Sequence, residues 1–146
     1  MVPYEDGVQL AVADIPGIIE DAHKDKGLGI EFLRHIERCA CLLYVIDMSQ
    51  AGQPFDQFEA LRYELSQYNS DLPDRPFAVV ANKMDMEESH EAVQAFRTRL
   101  GEKMPSVQVF EVSAKFGSNI TDLLKYIRQH YDTVRCKQNS RLLSSK

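Results

Sequence analysis

Phe77-Ala78-Val79-Val80-Ala81-Asn82-Lys83-Met84-Asp85 opens as an unbroken apolar run, Phe77 to Ala81, and turns polar within one residue. An apolar run of this length without alternation is what a strand covered on both faces requires. Pro73 and Pro76 punctuate the chain just before it, so the run also begins abruptly. Upstream, Cys41-Leu42-Leu43-Tyr44-Val45-Ile46 is a second such run, ending at Asp47. Between the two, Phe55 to Tyr68 places Phe58, Leu61, Leu65 and Tyr68 on one helical stripe. Downstream, Glu87 to Leu100 carries Val93, Phe96 and Leu100 on a face and is closed by Gly101. Val107 to Val112 predicts a further strand, and Ile120 to Tyr131 a helix with Leu123, Leu124 and Ile127 inside. Toward the N-terminus, Val8 to Asp14 reads as a strand running into a turn at Pro16-Gly17. Gly27 to Arg38 reads as an amphipathic helix through Phe32, Leu33 and Ile36. Strands alternating with helices of this length imply an α/β domain with parallel strands and crossover helices.

The periodicity stops after Asp132. Arg135, Lys137, Arg141 and Lys146 lie among Ser and Gln, which predicts a domain over residues 1–132 and a basic, disordered tail over 133–146. With 146 residues, 44% of them hydrophobic and 27% charged, the composition is that of one ordinary globular domain. No stretch approaches the roughly 20 apolar residues of a membrane span. The formal net charge of −5 excludes nucleic-acid binding through bulk charge, so any RNA contact needs a local patch. Cys39, Cys41 and Cys136 form no C-x-x-C, and His23, His35, His90 and His130 have no ligand spacing, so neither a disulfide framework nor a zinc site is indicated.

In an open parallel sheet, ligands bind beyond the carboxyl ends of the strands. The polar residues there are Asp14, Asp47, Asn82 with Lys83 and Asp85, and Ser113 with Lys115. Asp14-Ile15-Pro16-Gly17 has a carboxylate able to hold Mg²⁺ through its water shell, and a glycine that lets a backbone N–H approach a phosphate. Taken alone, the same four residues also read as an ordinary strand-ending turn. Asn82-Lys83-Met84-Asp85 is an N-K-x-D quartet with more specific chemistry. Guanine presents N1–H and the N2 amine side by side, and one carboxylate, Asp85, accepts from both. Adenine lacks that pair and would leave Asp85 unpaired. Asn82 supplies an amide for the other base edge and for bracing neighbouring loops, and Lys83 can lay its stem over the base plane. Read blandly, the quartet is a capped turn opening the next helix. In Ser113-Ala114-Lys115, the Ala114 N–H would face guanine O6 while Ser113 tightens the loop. Asp47 reads as a cap for the helix after it, and His23 and His35 as surface or packing residues.

In this order and spacing, D-x-P-G, N-K-x-D and S-A-K resemble the later three of five motifs of Ras-like GTPases of the translation-factor class. The segment Asp14 to Gly29, continuing through Phe32 to Cys39, is similar to the switch II loop and helix of the Obg family, whose members assist large ribosomal subunit assembly. Val12 to Ile19, with Tyr63-Glu64-Leu65 and Ala81-Asn82-Lys83, is most similar to the animal mitochondrial, ribosome-associated members.

The resemblance implies a three-layer α/β/α P-loop GTPase domain that binds GTP or GDP with Mg²⁺ as a monomer. It implies partners in ribosomal RNA and proteins of the large subunit, and a mitochondrial location, with cytoplasmic as the alternative. Asp14 would serve Mg²⁺ and Gly17 the γ-phosphate, with Ile15 and Pro16 in the same loop. Asn82, Lys83 and Asp85 would select guanine, and Ser113, Ala114 and Lys115 would complete the base pocket. Ile18 stands where many GTPases carry a catalytic glutamine, which implies slow intrinsic hydrolysis. The sequence contains no G-x-x-x-x-G-K followed by Ser or Thr, no switch I threonine and no glycine-rich N-terminal domain. It therefore predicts an N-terminally truncated domain lacking the phosphate-loop strand, with Met1 inside the second strand. Two functions follow: hydrolysis of GTP by the full-length protein, impaired in this chain, or a non-catalytic ribosome-binding fragment.

Overall fold

The computed structural model describes residues 2–13, 39, 41–50, 53–68 and 70–144. The chain divides into two compact units, Met1–Cys39 and Ala40–Lys146. The helix expected over 27–38, both of its flanking histidines (23 and 35), and Asp14 to Ile18 all lie outside the described residues.

In the first unit, β1 (Val2–Pro3) pairs antiparallel with β2 (Gln9–Leu10), with Val2 opposite Leu10. The connecting turn closes through Gly7 N–H to Tyr4 O at 3.0 Å and Tyr4 N–H to Val8 O at 2.9 Å. Gly7 has φ +78°, a conformation that costs glycine nothing and other residues a clash, and Asp6 braces the turn by accepting from Val8 N–H. The sequence predicted a strand from Val8 to Asp14, but pairing covers only Gln9 and Leu10. Ala11, Val12 and Ala13 are exposed and outside any ladder. Apolar alternation marks residues able to form a strand; the ladder extends only as far as its partner, here two residues.

The second unit follows the expected α/β order. Its strands are β3 (Leu42–Asp47), β4 (Phe77–Asn82) and β5 (Val109–Glu111), and its helices α1 (Pro54–Tyr68), α2 (Glu88–Lys103) and α3 (Ile120–Ser144). The sheet is parallel in the order β3-β4-β5, with Asp47 level with Asn82 and Ala81 level with Glu111. Ala78 through Ala81 are all buried, as the unbroken apolar run requires.

Alternate residues of a strand point to opposite faces, and the two faces carry different layers. On one face Tyr44 packs edge-on against Phe58 and Phe77, each at 5.2 Å between ring centres, and Phe55 and Phe58 meet Phe96 of α2. On the other, Val80 and Val112 cluster with Leu123 of α3, joined by Leu43, Phe110, Ile120 and Ile127. The layers are α1 and α2, the sheet, then α3.

Two helix boundaries differ from expectation. Gly101 does not end α2, which continues to Lys103 and closes with Met104 N–H on Leu100 O at 2.7 Å. Gly101 lies in the last turn, where its helix cost of about 1 kcal/mol is outweighed by burial of Leu100 beside it. Where a disordered tail was expected from residue 133, the backbone of α3 instead continues helically to Ser144. No Gly or Pro interrupts 120–144, and extending an existing helix costs far less than starting one.

Candidate functional site

Three loops leave the carboxyl ends of β3, β4 and β5 side by side, because parallel strands in register finish on the same rim. Their backbones are fastened to one another. Met48 N–H donates to Asn82 O at 3.2 Å, Val112 N–H to Ala81 O at 2.8 Å, and Met84 N–H to Val112 O at 3.1 Å. The middle loop makes its turn at Lys83, a non-glycine residue with φ +66°. Such a conformation persists only where the surroundings enforce it. Here the Lys83 carbonyl accepts from the fully buried Ser89 hydroxyl at 2.8 Å and from Met86 N–H at 3.0 Å.

This kink directs the neighbouring side chains. Asp85 Oδ1 accepts a 2.6 Å hydrogen bond from Ser113 Oγ, and Asn82 Oδ1 accepts from Ala114 N–H at 3.0 Å. Ser113 is buried and its oxygen also accepts from Phe116 N–H, while Ser113 and Ser118 exchange two backbone bonds that close the third loop. The Ser113 hydroxyl holds the Asp85 carboxyl below its ordinary range against the upward push of burial, helped by its own backbone N–H and by the charges of Lys115 and Lys83. Asp85 is thus an exposed carboxylate, ionised and fixed in direction. The Lys83 ammonium meets Asp47 Oδ2 at 2.6 Å. Lys115 is exposed, with Nζ 5.0 Å from the ring centre of Phe116. Among the described residues no cluster of three or more His, Cys, Asp or Glu could hold a metal, and no helix is long and apolar enough to cross a membrane.

Residues 2–83, more than half of the chain, match the family described as the 50S ribosome-binding GTPases. The chain belongs to that family. It is 46% identical, over 132 residues and 90% of its length, to mitochondrial ribosome-associated GTPase 2 of Pongo abelii and of Homo sapiens. It is 43% identical over 136 residues, 92% of its length, to the GTPase Obg of Bacillus licheniformis. The chain spans 31% of the length of each of these relatives. The resemblance to the Obg family is therefore real, and the fold class is the α/β G domain of the P-loop GTPases, present among the described residues as the three-stranded parallel sheet with its helices.

Sequence reasoning brought Asn82, Lys83, Asp85, Ser113 and Ala114 to one rim. It missed two partners. Ser89 looks like an ordinary helix residue, and only its complete burial beneath Lys83 reveals it. Asp47 was read as capping the following helix, but α1 starts at Pro54, too far along the chain. Asp47 instead accepts from Ser49 N–H at 2.9 Å, Ser49 Oγ at 2.7 Å and Gln50 Nε2 at 3.3 Å, and pairs with Lys83. Its position at the end of a buried strand was the available signal.

Burial pushes the Asp47 carboxyl up, but hydrogen bonds from Lys83 and Ser49 and the Lys83 charge outweigh it and bring the value down to about 2. The folded value lies below the ordinary one of about 3.9, so this stabilisation is complete above about pH 4 and is lost as pH falls through about 2. The unfolding free energy of the wild type, measured by urea titration, should fall more steeply between those two values than that of Asp47→Asn. Equal slopes would refute the assignment.

Proposed function

We propose that this chain carries the base-recognising rim of an Obg-type GTPase, with Asp85 selecting guanine. The single observation supporting this is the convergence of the loops after β4 and β5, in which Ser113 holds the Asp85 carboxylate ionised and outward. A carboxylate so fixed matches the paired N1–H and N2 donors of guanine and no pair on adenine. Asn82 and Ala114 line the adjacent edge; their mutual bond implies that the Ala114 N–H is shared with, or passes to, the base O6 when a nucleotide arrives. The Lys83 stem reaches from β4 toward Asp47 and would form one wall for the ring.

GTP hydrolysis and association with the ribosome are proposed for the whole protein in keeping with the relatives' names, and large ribosomal subunit assembly with contact to ribosomal RNA and proteins from the resemblance to the Obg family. A mitochondrial location follows the same relatives. Mg²⁺ held by Asp14 through water, phosphate contact at Gly17 and slow hydrolysis from Ile18 rest on the sequence, since residues 14–18 lie outside the described structure.

The test is a titration of the chain with fluorescent GDP, followed by competition with unlabelled GDP and ADP. Binding weaker than micromolar is expected, because the sequence carries no phosphate-loop lysine, and GDP should displace the probe while ADP does not. Equal displacement by the two would remove Asp85 from base selection. Sub-micromolar binding would instead overturn the need for that loop.

A further inference from the structure

Lys83 is the one described side chain through which the β3 loop grips the base-recognising loop by charge, and its own backbone is the strained point of that loop. Three fastenings hold it: the carbonyl to Ser89 Oγ, the carbonyl to Met86 N–H, and the ammonium to Asp47. The first comes from α2 and the second from within the loop itself. The third comes from a different strand. Its carboxylate is not a freely rotating surface group, since Ser49 N–H, Ser49 Oγ and Gln50 Nε2 all donate to it. Gln50 in turn accepts from Gln57 of α1 at 3.4 Å, which ties the chain of bonds to a helix. A left-handed residue is disfavoured for a chain with Cβ, so releasing one of its three ties lets the backbone relax. The residues displaced by such relaxation are Asn82, which precedes Lys83 and holds the Ala114 amide, and Asp85, which follows it.

We propose that Asp47 is a positioning residue for guanine recognition: fixed by Ser49 and Gln50, it pins the Lys83 ammonium at 2.6 Å and thereby holds the left-handed turn that presents Asn82 and Asp85. This rests on the base-recognition reading, and it adds a group outside the three motifs to the determinants of specificity. Because the Lys83 side chain is 51% exposed, solvent weakens the pair and its effect is graded rather than absolute.

The experiment uses the full chain as wild type, Asp47→Asn, Lys83→Met and the double variant. Amide hydrogen exchange at Ala114, read by NMR, reports the Asn82 contact without requiring nucleotide. Each single variant should speed that exchange about two- to fivefold, and the double variant should add nothing, since both remove one interaction. In nucleotide competition, Asp47→Asn should reduce the preference for GDP over IDP, which lacks the N2 amine, by a similar factor. A purely structural role would shift the urea midpoint and leave that ratio alone. Unchanged exchange, additive single effects, or, in a protein that does prefer GDP, a ratio untouched by Asp47→Asn overturns the proposal. Coupled exchange in a protein with no GDP preference to begin with supports the positioning role while overturning the base-recognition reading.

Discussion

Asp85→Asn is expected to lower GDP affinity by about a hundredfold or more and to raise affinity for XDP. A carboxylate offers two acceptors to the base; an amide offers one acceptor and one donor. Guanine's N2 amine would then face another N–H₂, while its N1–H could still be received. Xanthine carries a carbonyl oxygen at that position, so the same amide satisfies it. The orientation of the introduced amide is set in advance. Ser113 Oγ donates to Asp85 Oδ1, and that bond keeps the amide oxygen toward Ser113 and leaves the nitrogen on the other side. Competition of fluorescent GDP by unlabelled GDP and XDP, before and after the substitution, measures the exchange of preference. If GDP remains favoured to the same degree, Asp85 does not touch the base.

Phe58→Ala should cost about 3–5 kcal/mol of folding stability, the range for truncating a core aromatic. Phe58 is completely buried and lies at the centre of an aromatic cluster formed by Tyr44, Phe55, Phe77 and Phe96. It joins α1 to both the sheet and α2, so removing the ring leaves a cavity that neighbours from three elements would have to close together. Arg62, whose guanidinium lies 5.9 Å from the Phe58 ring centre, loses a stacking surface as well. Since a domain of this size is stable by about 5–15 kcal/mol, the variant should be near or past its unfolding threshold at 25 °C. Phe116→Ala is the matched control, because that ring is 67% exposed and its loss should stay within about 0.5 kcal/mol. Urea denaturation of both variants decides the matter: a Phe58→Ala midpoint close to that of Phe116→Ala would show that the cluster does not carry the fold.

The positions of the rim residues proposed to meet the base were legible in the sequence because each follows a buried strand. An apolar run that stops at Asn82, or at Ser113, places the next side chains on the rim whatever the rest of the fold does. The strand assignments for 42–47 and 77–82 survive nearly unchanged for the same reason. Helix ends did not read as cleanly. Gly101 permits termination without enforcing it: the helix runs on to Lys103, whose ammonium pairs with Glu59 of α1. The ladder at Gln9–Leu10 is short because its length belongs to the pair, with β1 as much as β2 setting it.

The sequence by itself determined the α/β order, the family, and a carboxylate, an amide and a hydroxyl at successive strand ends, because these depend on local periodicity and on short spacings. Only the tertiary structure decided that Asp47 serves Lys83 rather than a helix, that Ser89 lies beneath the kink, and that Ala114 N–H faces Asn82. Those contacts join residues six to thirty-six positions apart along the chain. Most of them depend on the register of neighbouring strands, such as Asp47 level with Asn82, which no window along one strand contains.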